Sequence, residues 1–232
     1  MKIKKVAILQ SNYIPWRGYF DLISLVDEFV IFDEMQYTKR DWRNRNRIKT
    51  KDGVLWLTVP VEVKGKYFQN IRETKINGES WRNKHWKTLE FNYIKSKYFK
   101  DLADEIEHIY LEENITSLSK LNRRFIDLIC SYLGIKTCIR DSFEFSLANN
   151  KNERLVNICR ELEASEYVSG PKAASYIDKK IFESNNIKLS FADYSGYSEY
   201  NQLWGGFEKN LSILDLIFNC GKSSFKYMKY VN

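Results

Sequence analysis

Histidine and proline are scarce in this chain, with two histidines and three prolines among 232 residues. A zinc enzyme built on clustered His or Cys ligands is therefore not expected. So few prolines also argue against a segmented architecture strung on stiff linkers. The four cysteines, Cys130, Cys138, Cys159 and Cys220, are scattered, with no CxxC pair and no metal spacing. They read as small core hydrophobes in a reducing cytosol. No apolar run approaches the roughly 18 residues needed to span a bilayer. The opening Met1-Lys2-Ile3-Lys4-Lys5 precedes an apolar run too short for a signal peptide, with no small-residue cleavage site, so a cytoplasmic location is expected. No Gly-x-Gly-x-x-Gly fingerprint and no Gly-x-x-x-x-Gly-Lys-Ser/Thr loop is visible. Dinucleotide redox chemistry and P-loop ATP hydrolysis are therefore unsupported.

What is present points to a packed α/β chain with an anionic partner. Hydrophobic residues make up 44% and aromatics 15%, enough for a sizeable core and against disorder. The length fits one domain over 1–232, with room for a helical subdomain at about 80–135. The net charge of +7 is uneven, since Lys39, Arg40, Arg43, Arg45, Arg47, Lys49 and Lys51 face only Asp41 within that stretch. Nucleic acid, a membrane surface and a nucleotide-linked metabolite all suit such a charge.

Val6 to Leu9 and Phe29 to Phe32 read as buried strands, joined by a helix at Tyr19 to Val26. Ile48 to Val63 carries a hairpin signal turning at Lys51-Asp52-Gly53, with Leu55, Leu57 and Val59 alternating with Trp56 and Thr58. Helices are expected at 81–98, capped by Ser80, and at Leu118 to Tyr132, stopped by Gly134. Further on, strands are expected near 136–140, 167–168 and 187–191, and helices near 155–162 and 211–219. Pro171 suits a first helical position. The alternation implies an α/β fold with a mainly helical middle.

The candidate site starts in the loop after the first strand. Gln10, Asn12 and Tyr13 offer hydrogen bonds to a base, a ribose or a sugar, while Trp16 sits beside them and Gly18 lets a phosphate approach a helix N-terminus. The plainer reading is that the loop's aromatics cover the sheet end. Asp33 follows the second strand and suits Mg²⁺ with substrate phosphates, a general base, or an ion pair with nearby arginines. Arg43, Arg45 and Arg47 alternate with Asn44 and Asn46, so an extended segment puts the arginines on one face as bidentate forks for pyrophosphate. Lys39 extends that charge, and Tyr37 and Trp42 offer base stacking to a nucleic acid. His85 is a candidate general base or a packed helical residue, and His108 reads as a surface residue. Ser169, Gly170 and Lys172 either bind phosphate or form a plain capping turn.

Several of these segments together resemble one family. Gln10 to Phe20, Phe32 to Tyr37, Arg43 to Arg47, Tyr167 to Pro171, Tyr200-x-Gln202 with Phe207, and Leu211 to Asn219 with Gly221 are similar to the WbqC-like proteins, in order along the chain. One departure is Ser11, where the family usually has proline. The resemblance implies a role in O-antigen and other surface-polysaccharide assembly. The implied chemistry is acyl or aminoacyl transfer onto a nucleotide-activated amino sugar. It also marks Tyr200 and Gln202 as site positions. The cofactor stays open between Mg²⁺ and an acyl or aminoacyl donor, and the oligomeric state is open too. A nucleic-acid-binding protein and a non-catalytic scaffold of glycan assembly are the alternatives. Pro15 to Tyr19 also occupies the place of the His-x-Gly-His turn of nucleotidylyltransferases, without either histidine. That likeness implies a Rossmann-like, mainly parallel sheet.

Overall fold

The computed structural model describes residues 3–146, 148 and 150–231. Its first unit follows the apolar runs. β1 (Lys5–Leu9), α1 (Arg17–Ser24) and β2 (Glu28–Ile31) form a crossover in which β1 and β2 pair in parallel. β3 (Arg45–Thr50) and β4 (Gly53–Thr58) then make a separate antiparallel hairpin around Lys51 and Asp52. Gly53 takes φ 108°, a conformation that side chains with a Cβ rarely adopt. α2 (Ser80–Tyr93), α3 (Ala103–Leu111) and α4 (Leu118–Leu133) form the helical middle. The chain rejoins the sheet as β5 (Cys138–Asp141), α5 (Lys151–Glu161), β6 (Glu166–Ser169), α6 (Lys179–Glu183) and β7 (Lys188–Phe191), and ends with α7 (Ile213–Cys220).

The main sheet has the order β5-β2-β1-β6-β7, with every pair parallel. This is an α/β, Rossmann-like arrangement. Side chains alternate across it as strand geometry requires. Val6, Ile8 and Val30 join a core with Val156, Cys159 and Phe182 of α5 and α6. Ala7, Phe29 and Ile31 join a larger core with the helical middle, α1 and α7. The order runs outward from β1 in both directions, so the topology switches between β1 and β6.

Local signals set most boundaries. Ser117 caps α4, and Gly134 ends it in the left-handed region at φ 73°. Four expectations need correction. The 81–98 helix stops at Tyr93, and Ser80 is its first residue, with Glu79 at the cap position. Pro171 opens a 3₁₀ turn over Pro171–Ser175 rather than an α-helix. Leu55 is exposed, because only the Leu57 and Val59 end of its strand packs on the core. Cys138 is also exposed, since it starts the edge strand β5.

Two buried aspartates fasten the C-terminal segments to this frame. Asp21 on α1 accepts from the Tyr197 hydroxyl (2.6 Å) and from the Lys229 and Tyr230 amides (2.9 and 2.8 Å). Asp215 on α7 accepts from the hydroxyls of Tyr93 (2.7 Å) and Tyr200 (2.8 Å). Lys49 of β3 completes the second knot, donating its amide to the Tyr93 hydroxyl and its Nζ to Gln202.

Candidate functional site

In open α/β sheets, ligands bind outside the carboxyl ends of the strands at the switch point. A cleft of about 570 Å³ lies there, within the range for small-molecule sites. One wall is the loop after β1, with Asn12, Pro15 and Trp16. The opposite wall is the turn after β6, with Ser169, Gly170, Lys172 and Tyr176. The hairpin closes the mouth with Trp42, Asn46, Arg47 and Trp56. Trp42 and Trp56 are about two-fifths exposed, with ring centroids 5.3 Å apart. They form an aromatic shelf beside two cations.

The alternation across 43–47 places its two residue types differently. Asn44 and Asn46 are buried, while Arg43, Arg45 and Arg47 are half-buried on the other face. Arg47 donates Nη2 to the carbonyls of Lys209 and Asn210 at 3.1 and 3.0 Å, and its buried Nε has no partner among the described residues. Arg43 donates to Asn12 Oδ1. Arg45 lies 4.2 Å over the Trp56 ring and donates to the Arg40 carbonyl. Only Arg47 of the three lines the cleft.

Asn46 sustains the first loop. Its Nδ2 donates to the Tyr13 and Ile14 carbonyls at 3.1 and 2.8 Å. Ile14 takes φ 36°, an outlier for a β-branched residue that costs about 1–3 kcal/mol and persists only when neighbours enforce it. Asn46→Ala is expected to destabilise the protein by about 2 kcal/mol in urea unfolding, because two buried carbonyls lose their donor.

The sequence carries one further witness to what this cleft belongs to. The family model described as the WbqC-like protein family matches residues 10–227, which spans both loops and the hairpin. The chain belongs to the WbqC-like family. It is 58% identical over 228 residues to the uncharacterized protein Rv1507c of Mycobacterium tuberculosis (strain ATCC 25618 / H37Rv), covering 98% of this chain and 99% of that one. No solved structure matches it.

Other expected site residues of this WbqC-like protein lie away from the cleft lining. Asp33 is buried, and its oxygens accept from the Ser11 amide (2.8 Å), the Ser11 hydroxyl (2.7 Å) and the Ser119 hydroxyl (2.5 Å). Burial raises its pKa while these donors oppose the rise. It ties β2 to the first loop and α4. Ser11 thereby gains a reason: a proline there would offer neither donor. Among the described residues no group of three or more His, Cys, Asp or Glu could hold a metal ion.

His85 is likewise interior. Its Nδ1 faces the Tyr13 hydroxyl at 2.9 Å, which in turn meets the Tyr110 hydroxyl. Burial lowers its pKa to about 4, against a smaller opposing effect of a hydrogen bond to the Thr58 backbone. Tyr13 is thus enclosed, not directed at a ligand. Tyr200 and Gln202 belong to the Asp215–Lys49 knot. Asn44 donates to the Val59 carbonyl at 2.8 Å, and Lys39 is exposed. The Gln10 carbonyl accepts from Tyr19 at 3.2 Å. At Gly18 a Cβ would meet the Trp16 indole at 2.4 Å, so the glycine seats the tryptophan. His108 is a half-exposed partner of Glu112.

Trp56, Tyr176, Tyr194 and Asn210 line the cleft without having been singled out in the sequence. For Trp56 a signal existed. A hairpin turning at Lys51 and Asp52 sets Trp56 opposite Arg47, as the register has it. Tyr194 stacks edge-on against Trp16 at 5.2 Å, a contact across 178 positions that no local pattern encodes.

Proposed function

We propose that this WbqC-like protein binds a nucleotide-activated sugar in the switch-point cleft. We further propose that it modifies the sugar, by acyl or aminoacyl transfer, in the assembly of a surface polysaccharide such as an O-antigen. The observation that carries the reading is the joining of an aromatic shelf to two cations at the strand ends. Trp42 and Trp56 suit a base, because every base has a face that stacks. Arg47 and Lys172 suit the diphosphate, because both cations line the cleft. Asn12, Ser169 and Asn210 offer the sugar hydroxyls polar partners.

Within this reading the cleft residues bind and orient. Asp33 and His85 act through the loop they hold. An acyl or aminoacyl donor brings its own leaving group, and the attacking group would be an amine or hydroxyl of the sugar. The protein partners of Arg43 and Arg45, which leave only Arg47 of the three at the cleft, favour a small anion over an extended nucleic acid. No helix of the described residues is long and apolar enough to cross a membrane. The partner proposed is a nucleotide sugar, met in the cytoplasm.

A thermal-shift panel of nucleoside-diphosphate sugars, coenzyme A thioesters and oligonucleotides tests this. A ligand at about 100 times its Kd adds about 2.7 kcal/mol of stability. A nucleoside-diphosphate sugar should raise the melting temperature by several degrees, and Arg47→Ala should remove most of that rise. Stabilisation by oligonucleotides alone would transfer the assignment to the nucleic-acid reading.

A further inference from the structure

Exposed apolar side chains and excess positive charge coincide in one part of this molecule. Residues 39–68 hold nine Lys and Arg against three Asp and Glu, which is six of the chain's seven net positive charges. The same stretch exposes Trp42, Val54, Leu55, Trp56, Tyr67 and Phe68. Tyr67 and Phe68 are 77% and 85% exposed, the highest among the exposed large apolar side chains. Their rings meet edge-to-face at 5.0 Å.

The loop that carries them is built rather than loose. Gln36 Nε2 donates to the Tyr67 carbonyl at 2.9 Å, and Gln69 Nε2 donates to the Glu62 carbonyl at 2.7 Å. The Tyr37 amide donates to the Gln69 carbonyl, and the Ile71 amide to the Met35 carbonyl. Those bonds dock the loop on residues 35–37, just past the carboxyl end of β2, where the chain continues to Trp42 at the cleft mouth. The backbone is therefore fixed while two aromatic rings stand in water, flanked by exposed Lys64 and Lys66.

We infer that this face docks on an anionic lipid bilayer, with Tyr67 and Phe68 entering the headgroup boundary. Aromatic rings favour that zone, and lysines beside them gain from a negative surface. The exposed cations here are mostly lysines, Lys39, Lys51 and Lys64, with Arg40, while Lys66 is paired with Glu62. Point charges of this kind suit a diffuse layer of headgroups. Of the arginine forks that would grip individual phosphates of a nucleic acid, Arg43 and Arg45 have protein partners instead. Peripheral docking needs no membrane-spanning helix, and it stands apart from the nucleotide-sugar reading.

Co-sedimentation with vesicles tests the inference on the full chain. Phosphatidylcholine vesicles containing about one phosphatidylserine in three should bind the protein, and pure phosphatidylcholine vesicles should not. Raised salt should weaken the binding. Tyr67→Ser with Phe68→Ser should reduce the bound fraction about tenfold, with an unchanged melting temperature, because the rings contact solvent. Three results would overturn the proposal. One is no binding to the anionic vesicles, and another is equal binding by the double variant. The third is a switch in this variant of oligonucleotide affinity or of oligomeric state without any vesicle binding.

Discussion

Asp215→Ala is expected to lower the unfolding free energy by about 3–5 kcal/mol, the range for breaking a buried charged network. The loss has three sources. The buried Tyr93 hydroxyl and the half-buried Tyr200 hydroxyl both lose their carboxylate acceptor. Lys49 keeps its buried ammonium beside Gln202 but loses the nearby carboxylate. The segment holding Tyr200 then has less to fasten it to α7. Asp215→Asn keeps one acceptor oxygen and should lose about 1–3 kcal/mol. Urea unfolding of the two variants checks both the order and the size. If Asp215→Ala costs under about 1 kcal/mol, the carboxylate is not the centre of that knot.

The pH dependence of stability should carry the signature of His85. Its pKa falls to about 4 in the folded protein, chiefly by burial, from an ordinary value of 6.5. Above pH 6.5 both states hold it neutral, so its contribution is fully present. Below that value the unfolded chain takes up a proton that the folded chain refuses until about pH 4. Stability is therefore lost across that window, by about 3 kcal/mol at about 1.4 kcal/mol per unit. Asp21, Asp33 and Asp215 have carboxyls raised by burial and work in the opposite sense. Their contribution is present below their ordinary value of 3.8 and is lost as pH rises through the raised one. His85→Gln keeps those groups, so the difference between wild type and variant isolates the imidazole. The wild-type advantage at neutral pH should shrink as pH falls towards 4. A constant difference would mean that His85 is not held neutral by its surroundings.

The fold was legible where local pattern and tertiary need agree. Val6–Ile8 and Phe29–Phe32 are buried on both faces, as continuous apolar strands of a parallel sheet should be. Ser117 and Gly134 bracket α4 by cap chemistry that depends on no distant contact. The arginine–asparagine alternation also survives, because strand geometry alone separates the two faces. What was not legible depends on partners far along the chain. Asp33 looks like a free carboxylate in sequence, yet Ser119 lies 86 positions away and closes one of its oxygens. His85 becomes an interior group through Tyr13, 72 positions away. Tyr200 and Gln202 similarly serve Asp215 and Lys49 rather than the cleft.

This division alters what the polar residues of the first loop are for. The loop after β1 is held from beneath by Asp33 and Asn46 and from behind by Tyr13, so its strained turn keeps one shape. Asn12 and Trp16 are the members that reach the cleft wall. The cleft wall is shared among three segments: this loop, the hairpin and the turn after β6. A preformed surface of that kind binds with little ordering cost, which favours affinity for a rigid, charged ligand.

The most direct test is calorimetric titration of the protein with a panel of nucleoside-diphosphate sugars, repeated on Arg47→Ala and Trp56→Ala. At least one member should bind, and each variant should weaken that binding by about tenfold or more while keeping its fold, since a charge-assisted contact or a stacked base contributes about 1–3 kcal/mol. A panel with no binder, or a binder whose affinity neither variant changes, would contradict the assignment of the switch-point cleft.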